Sequence, residues 1–190
     1  MFALLRPALI LFIALSLLTG LAYPLVTGAI AQLAFPDQAA GGLVERDGKI
    51  VGSNLIGQAF SDPGHFWGRP SATSPMPYNA AASSGSNLGL LNPALAQAVK
   101  DRVEAQRAAN PGGGPTVPAD LVYSSASGLD PHISVAAARY QADRIARVRN
   151  LPLARVEQLI QQHTEGALLG VLGEPRINVL ALNLALDAPR

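Results

Sequence analysis

The chain has 190 residues, 49% of them hydrophobic, with 14 Lys or Arg against 13 Asp or Glu and no cysteine. A near-neutral chain with only 5% aromatics lacks the basic footprint of a nucleic-acid binder. The missing thiols exclude disulfides, a cysteine nucleophile and cysteine-ligated metals.

Between Arg6 and Asp37 lie thirty residues without a charge. Backbone polar groups in hydrocarbon must be bonded within their own segment, so such a run spans a membrane as a helix. Ala8–Val26 holds eleven Leu, Ile, Phe or Val, which favour insertion by about 3–7 kcal/mol. A cleaved signal peptide is the rival reading, with Arg6 as its positive region and Ala29-Ile30-Ala31 as its cleavage site. Signal cores run to about 7–15 residues, and this one is longer. Pro24 is expected to kink the span rather than abolish it.

Residues 1–36 are therefore read as a single transmembrane anchor and residues 37–190 as one soluble domain. Arg6 precedes the span, while Arg46 and Lys49 follow it. That count does not set orientation, but the short amino-terminal tail suits a signal-anchor with the carboxy-terminal domain outside the cytoplasm.

Leu43–Arg46, Asp47-Gly48 and Lys49–Val51 predict a hairpin, because Asp-Gly supplies the positive φ angles of a two-residue turn. Asn92-Pro93 predicts a helix start, with Leu95, Val99 and Val103 on its buried face. Asn110–Pro115 should end that helix in an exposed loop open to proteolysis. Ser134 is expected to cap a second helix to about Asn150, with Asp143 and Arg147 spaced to pair. A shorter helix over 153–163 turns Leu153, Val156, Leu159 and Ile160 inward. Alternation of Leu180, Leu182, Leu184 and Leu186 predicts a closing half-buried strand. The fold class is thus α+β, a small, mainly antiparallel sheet with packed helices.

Three stretches carry more than packing chemistry. In the first, Phe66, Trp67 and Arg69, followed by Pro70 and Ser71, are residue types that anchor protein interfaces. The alternative is that Phe66 and Trp67 plug the core while Arg69 bonds loop carbonyls. The second is Ser84-Gly85-Ser86-Asn87 with Gly89, a glycine-rich entry to a helix that could present N–H groups to an anion. It lacks the Gly-Lys-Ser/Thr ending of a phosphate loop, so a plain helix-entry loop is the simpler reading.

The third stretch sets Ser127, Gly128, Asp130 and His132 together and invites a serine-hydrolase reading. No Gly-x-Ser-x-Gly elbow is present, and no spacing puts His132 beside a particular serine. His65, His132 and His163 are scattered and predict no metal site. The residues alone therefore describe an anchored, partner-binding or accessory chain without an assembled active site.

The same stretches, in order, resemble the KdpC family, a small component of the high-affinity potassium-transporting ATPase. The resemblance rests on Gly57-Gln58-Ala59-Phe60, Phe66–Thr73, Gly85–Gly89 and Asn92-Pro93. It continues through Val117–Val122, Ser127–Ser134, Tyr140-Gln141, Ala146–Arg149, Gly173–Leu180 and Leu182–Asp187. It implies a non-catalytic accessory subunit of an inner-membrane potassium uptake complex. Its partners would be a channel-like potassium-carrying subunit, a P-type subunit that hydrolyses ATP, and membrane lipid.

The family's role is described as a catalytic chaperone that raises the ATP affinity of the hydrolysing subunit. No covalent cofactor is implied, and ATP would be met only through the complex. Gly20 and Gly28 would let the span pack closely on partner helices. The loops around Phe66, Ser84 and Ser127 would touch the potassium-carrying subunit, or, in a second version, nucleotide. An anchored extracytoplasmic serine-type hydrolase is the alternative from another class.

Overall fold

A computed structural model describes residues 2–188, with side chains from Leu4 onward. The chain divides into two compact units, 1–43 and 44–190. The first is a run of helix: α1 (Phe2–Leu17), a π-helical turn (Leu18–Ala22), α2 (Tyr23–Ala34) and the short α3 (Pro36–Ala39). Leu4–Ala34 forms 31 residues of apolar helix, long enough to cross a membrane. At 1.5 Å per residue it exceeds the roughly 30 Å of a hydrocarbon core.

Pro24, expected to kink the span rather than abolish it, is preceded by the π turn. A proline has no N–H to give and crowds the carbonyl four residues back. Widening the preceding turn absorbs that crowding: the Tyr23 N–H reaches back five residues to the Leu18 carbonyl, and the helix runs on. Thr19 and Thr27 donate their hydroxyls to the carbonyls of Leu15 and Tyr23 at 2.7 and 2.8 Å, so neither leaves a polar group unbonded.

The second unit opens with the expected hairpin, β1 (Leu43–Arg46) and β2 (Lys49–Ser53), turning through Asp47 and Gly48 at φ 53° and 73°. Helix α4 (Pro93–Ala109) starts where Asn92 Oδ1 accepts from the Ala94 N–H at 2.9 Å. Leu95, Val99 and Val103 are half-buried along it. A three-stranded antiparallel sheet follows, ordered β3 (His132–Ser134), β5 (Arg176–Asn178) and β4 (Thr164–Glu165). Ile133 faces Ile177 in register, and both are buried.

Ser134 caps α5 (Val135–Val148) by accepting from Ala137 N at 3.0 Å. Helix α6 (Leu153–Gln162) buries Val156, Leu159 and Ile160, but Leu153, expected inward, is exposed in its first turn. The expected Asp143–Arg147 pair is not among the ion pairs of the described residues.

The closing segment is the clearest correction. Residues 179–186 form a helix, α7 (Val179–Asp187), and not a strand. Leucine and alanine are the strongest helix formers, and Asn178 Oδ1 caps the segment by accepting from Ala181 N at 3.0 Å. Val179, Leu182 and Leu186 share one face at helical spacing, a pattern that Leu–Ala alternation also satisfies. The strand lies just upstream, at 176–178.

The core joins Phe66, Ile133, Ile145, Val156, Ile160, Ile177 and Leu182 from α5, α6, α7, the sheet and one loop.

The loop after α4 is exposed at Pro111, Gly112, Gly114 and Pro115, as expected, and is anchored from within. Asn110 is buried, its amide bonded to Gln106 and its Oδ1 accepting from Arg144 Nε at 2.9 Å. Gly113 lies so close on Tyr140 that a Cβ would come within 2.7 Å of its carbonyl. This loop is tied down, with only its outer residues exposed.

Candidate functional site

The stretch holding Phe66, Trp67 and Arg69 has no regular secondary structure, yet its backbone is held as tightly as a strand. Two carboxamides do this. Asn183 on α7 accepts from the Phe66 N–H at 2.8 Å and donates to its carbonyl at 3.0 Å. Gln141 on α5 treats Trp67 the same way, at 2.8 and 3.1 Å. Both amides are buried, so each backbone bond forms without competition from water.

The Phe66 side chain fills the core at 0% exposure, as the core-plug reading has it. Trp67 is half-buried, donates its indole N–H to the Asp62 carbonyl, and stacks under Arg144 at 4.1 Å. Arg144 is itself buried and bonded to Gln141, Asn110 and the carbonyls of His65 and Pro63. Burial brings its pKa down to about 10, although the Asp62 carboxylate works the other way.

Beyond Trp67 three loops lock together. Ser71 Oγ donates to the Gly128 carbonyl at 2.7 Å and accepts from Tyr78 N at 2.9 Å. Thr73 Oγ1 donates to the Met76 carbonyl and accepts from Asn79 N. The N–H of Ser84 and the hydroxyl of Ser83 both give to the Ser127 carbonyl at 3.0 Å. Gly85 abuts Ala126, and Gly128, at φ +68°, sits where a Cβ would meet Thr73 and Ser84 within 2.7 Å. Gly57 N joins the same shelf by donating to the Leu129 carbonyl at 2.9 Å.

Arg69 pairs with Asp130 at 3.1 Å, rather than with loop carbonyls. The other Asp130 oxygen accepts from the His132 N–H at 3.0 Å. Burial opposes ionisation of Asp130, but bonds from the His132 side chain and backbone, with the Arg69 guanidinium, outweigh it. The carboxyl is held below its usual range. Nearby, Tyr78 donates to the Arg69 carbonyl, and burial, with the Asp130 charge, pushes its hydroxyl up to about 12.

An open cleft of about 680 Å³ lies against this pair, lined by Arg69, Asp130, His132, Asp120, Glu174 and Arg176 among others. The structure thus brings Arg69, Ser71, Ser84, Gly85, Ser127, Gly128, Asp130 and His132 into one shelf. Pro70 is half-buried beside them, while Ser86, Asn87 and Gly89 project from it, exposed. Gly20 and Gly28, in the other unit, have open space where a side chain would be.

The shelf's amides are largely spent on each other. The Ser84 N–H, which a phosphate would need, already serves Ser127. Ser127 Oγ accepts from Leu129 N, and the His132 ring lies 3.4 Å from the Asp130 carboxylate. Within the described residues no cluster of three metal-ligating side chains occurs.

Sequence reasoning gave no separate role to Asn110, Gln141, Arg144, Asn183 or Tyr78. The available signal was a polar residue inside an otherwise apolar helical stripe, as at Gln141 and Asn183. A second cluster was also unmarked: Asp187 accepts from Arg149 at 2.5 Å and from His65 Nε2 at 3.0 Å, with Arg46 at 4.0 Å. Burial opposes its ionisation, but the bonds from His65 and Arg149 hold its carboxyl below the ordinary range.

A family model described as "K+-transporting ATPase, c chain" matches residues 5–188. Similar curated proteins from several organisms share the name "Potassium-transporting ATPase KdpC subunit". The one from Polaromonas naphthalenivorans (strain CJ2) is 70% identical over 97% of this chain and 94% of its own length. Those from Variovorax paradoxus (strain S110) and Sorangium cellulosum (strain So ce56) are 67% and 63% identical, over 96% and 100% of this chain and 95% and 100% of their own. The interlocked shelf and the two carboxamide clamps are built from the segments that carried the resemblance, and the chain belongs to the KdpC family of potassium-transporting ATPase components.

Proposed function

We propose that the chain is an accessory subunit of an ATP-driven potassium uptake complex, anchored in the cell inner membrane by Leu4–Ala34 with residues 44–190 outside the cytoplasm. The observation that carries this reading is family membership along residues 5–188. The shelf supports it: many of its polar groups are spent on holding loops in place, which suits a rigid docking face better than a reaction centre.

The helix docks on neighbouring spans, with Gly20 and Gly28 permitting close approach. Arg69, Ser71 and the loops around Ser84–Gly89 and Ser127–His132 face the potassium-carrying subunit. The chain assembles or stabilises the complex and raises the ATP affinity of the hydrolysing subunit, acting through the span because its domain lies across the membrane from cytoplasmic ATP.

Two measurements test this. A reporter fused after residue 190 and active only outside the cytoplasm should be active; activity of the cytoplasmic reporter instead overturns the orientation. The complex purified with the chain should show a lower KM for ATP than the complex purified without it. An unchanged KM leaves assembly as the role and removes the effect on ATP affinity.

A further inference from the structure

The hairpin tip between β4 and β5 is built against its own local preferences. Leu168 and Leu172 pair across it, N–H to carbonyl in both directions at 2.8 and 2.9 Å. The turn runs through two consecutive left-handed residues, Leu169 at φ 54° and Gly170 at φ 76°. Such turns prefer Asn or Asp before the glycine, because a bulky side chain is strained at positive φ. Leucine stands there instead, and its side chain packs on nothing: Leu169 is 84% and Val171 80% exposed, with Leu168 at 67% and Leu172 at 58%. The fold does not need these side chains where they are.

The tip is also ready to leave water. Gly170 and Val171 donate to the carbonyls of Ala167 and Leu168 at 2.9 and 3.2 Å, so much of its backbone is bonded internally. Residues 166–173 carry no polar side chain. Removing such a knob from water therefore strands few hydrogen-bonding groups.

Its surroundings select the occupant. Glu165 and Glu174 flank the knob; Arg176 pairs with Glu165 at 3.1 Å, and Glu174 has no ion-pair partner among the described residues. A surplus carboxylate disfavours an anionic lipid surface, and the tip has none of the Trp, Tyr, Lys or Arg that anchor loops at a bilayer interface. Four aliphatic side chains fall well short of the roughly 800 Å² per partner of a stable interface. The knob therefore serves as one anchor in a contact already brought together by other means, as a shared complex does, and not as the seat of a dimer.

We propose that Leu168–Leu172 is a plug that seats in an apolar socket with a basic rim on another protein chain of the transport complex. This rests on the accessory-subunit reading above. The test uses the full chain coexpressed with the rest of its complex, with a photoreactive benzoylphenylalanine in place of Leu169 or Val171, and at exposed Glu157 as control.

The tip positions should crosslink to another protein chain and the control should not. Leu169→Asn should uncouple two readouts. Asparagine tolerates positive φ, so the thermal midpoint of the solubilised chain should hold or rise, while retention in the purified complex falls at least tenfold. Crosslinks to lipid alone or to a second copy of this chain overturn the proposal, as does unchanged retention of the Leu169→Asn variant. If the unaltered chain fails to copurify with transporter subunits at all, the accessory reading falls first. If it copurifies and the tip stays unlinked, only the plug falls.

Discussion

Asn183 and Gln141 give residues 66 and 67 what a neighbouring strand would give them in a sheet, one acceptor and one donor apiece. A leucine at 183 keeps the branched outline, at a larger volume, but orphans a buried N–H and carbonyl, each costing about 1–3 kcal/mol. Asn183→Leu should therefore lower the thermal midpoint of the detergent-solubilised chain by several degrees. The exposed Glu157→Ala should stay within about 0.5 kcal/mol. Equal midpoints would mean that the clamp is dispensable. Neither carboxamide stood out in the sequence as a clamp, because a side chain that binds main chain leaves no complementary residue to find. Phe66 and Trp67 stood out for size, which told that they were important but not whether they faced in or out.

At the scale of elements, Gly128 is the shelf glycine that combines a positive φ with crowding. Its φ is +68° and a Cβ would press on Thr73 and Ser84. Gly128→Ala should cost about 1–3 kcal/mol through strain. Gly89→Ala, in open space at ordinary φ, should be neutral or stabilising by about 0.4–1 kcal/mol. Denaturation midpoints of the two variants check the contrast, and a silent Gly128→Ala would show that the loops are not rigidly locked. The hairpin at Asp47-Gly48 and the helix starts at Asn92 and Ser134 were legible because each rests on contacts within a few residues. The closing helix was not, since Leu–Ala alternation satisfies both periods and only packing against α6 and the Phe66 backbone selects one. The shelf was legible as a set of particular residues, but the partners that join Arg69 to Asp130 and Ser71 to Gly128 lie about sixty residues apart in sequence.

For the whole molecule, charge sets a window of stability. The carboxyls of Asp130 and Asp187 are held below their ordinary values. Their contribution is complete above the unfolded value of about 3.9 and drains away as pH falls through the lower folded values. Tyr78 acts at the other end. Its contribution is complete below an unfolded value of about 10 and is lost as pH rises through the folded value of about 12. Thermal midpoints should be flat near neutrality and fall at both extremes. Asp130→Asn with Asp187→Asn should flatten the acid limb, and Tyr78→Phe the alkaline one. An acid limb unchanged in the double variant would assign it to other carboxylates.

The clamps also impose an order of events. Phe66 and Trp67 leave the ribosome long before Gln141, 74 positions later, and Asn183, 117 positions after Phe66. Until both helices arrive, two large aromatic side chains and their unbonded amides wait in the open, and such distant closures are slow. A stretch that ends with its main chain clamped by two buried amides is thus unprotected during synthesis, when a premature partner can capture it.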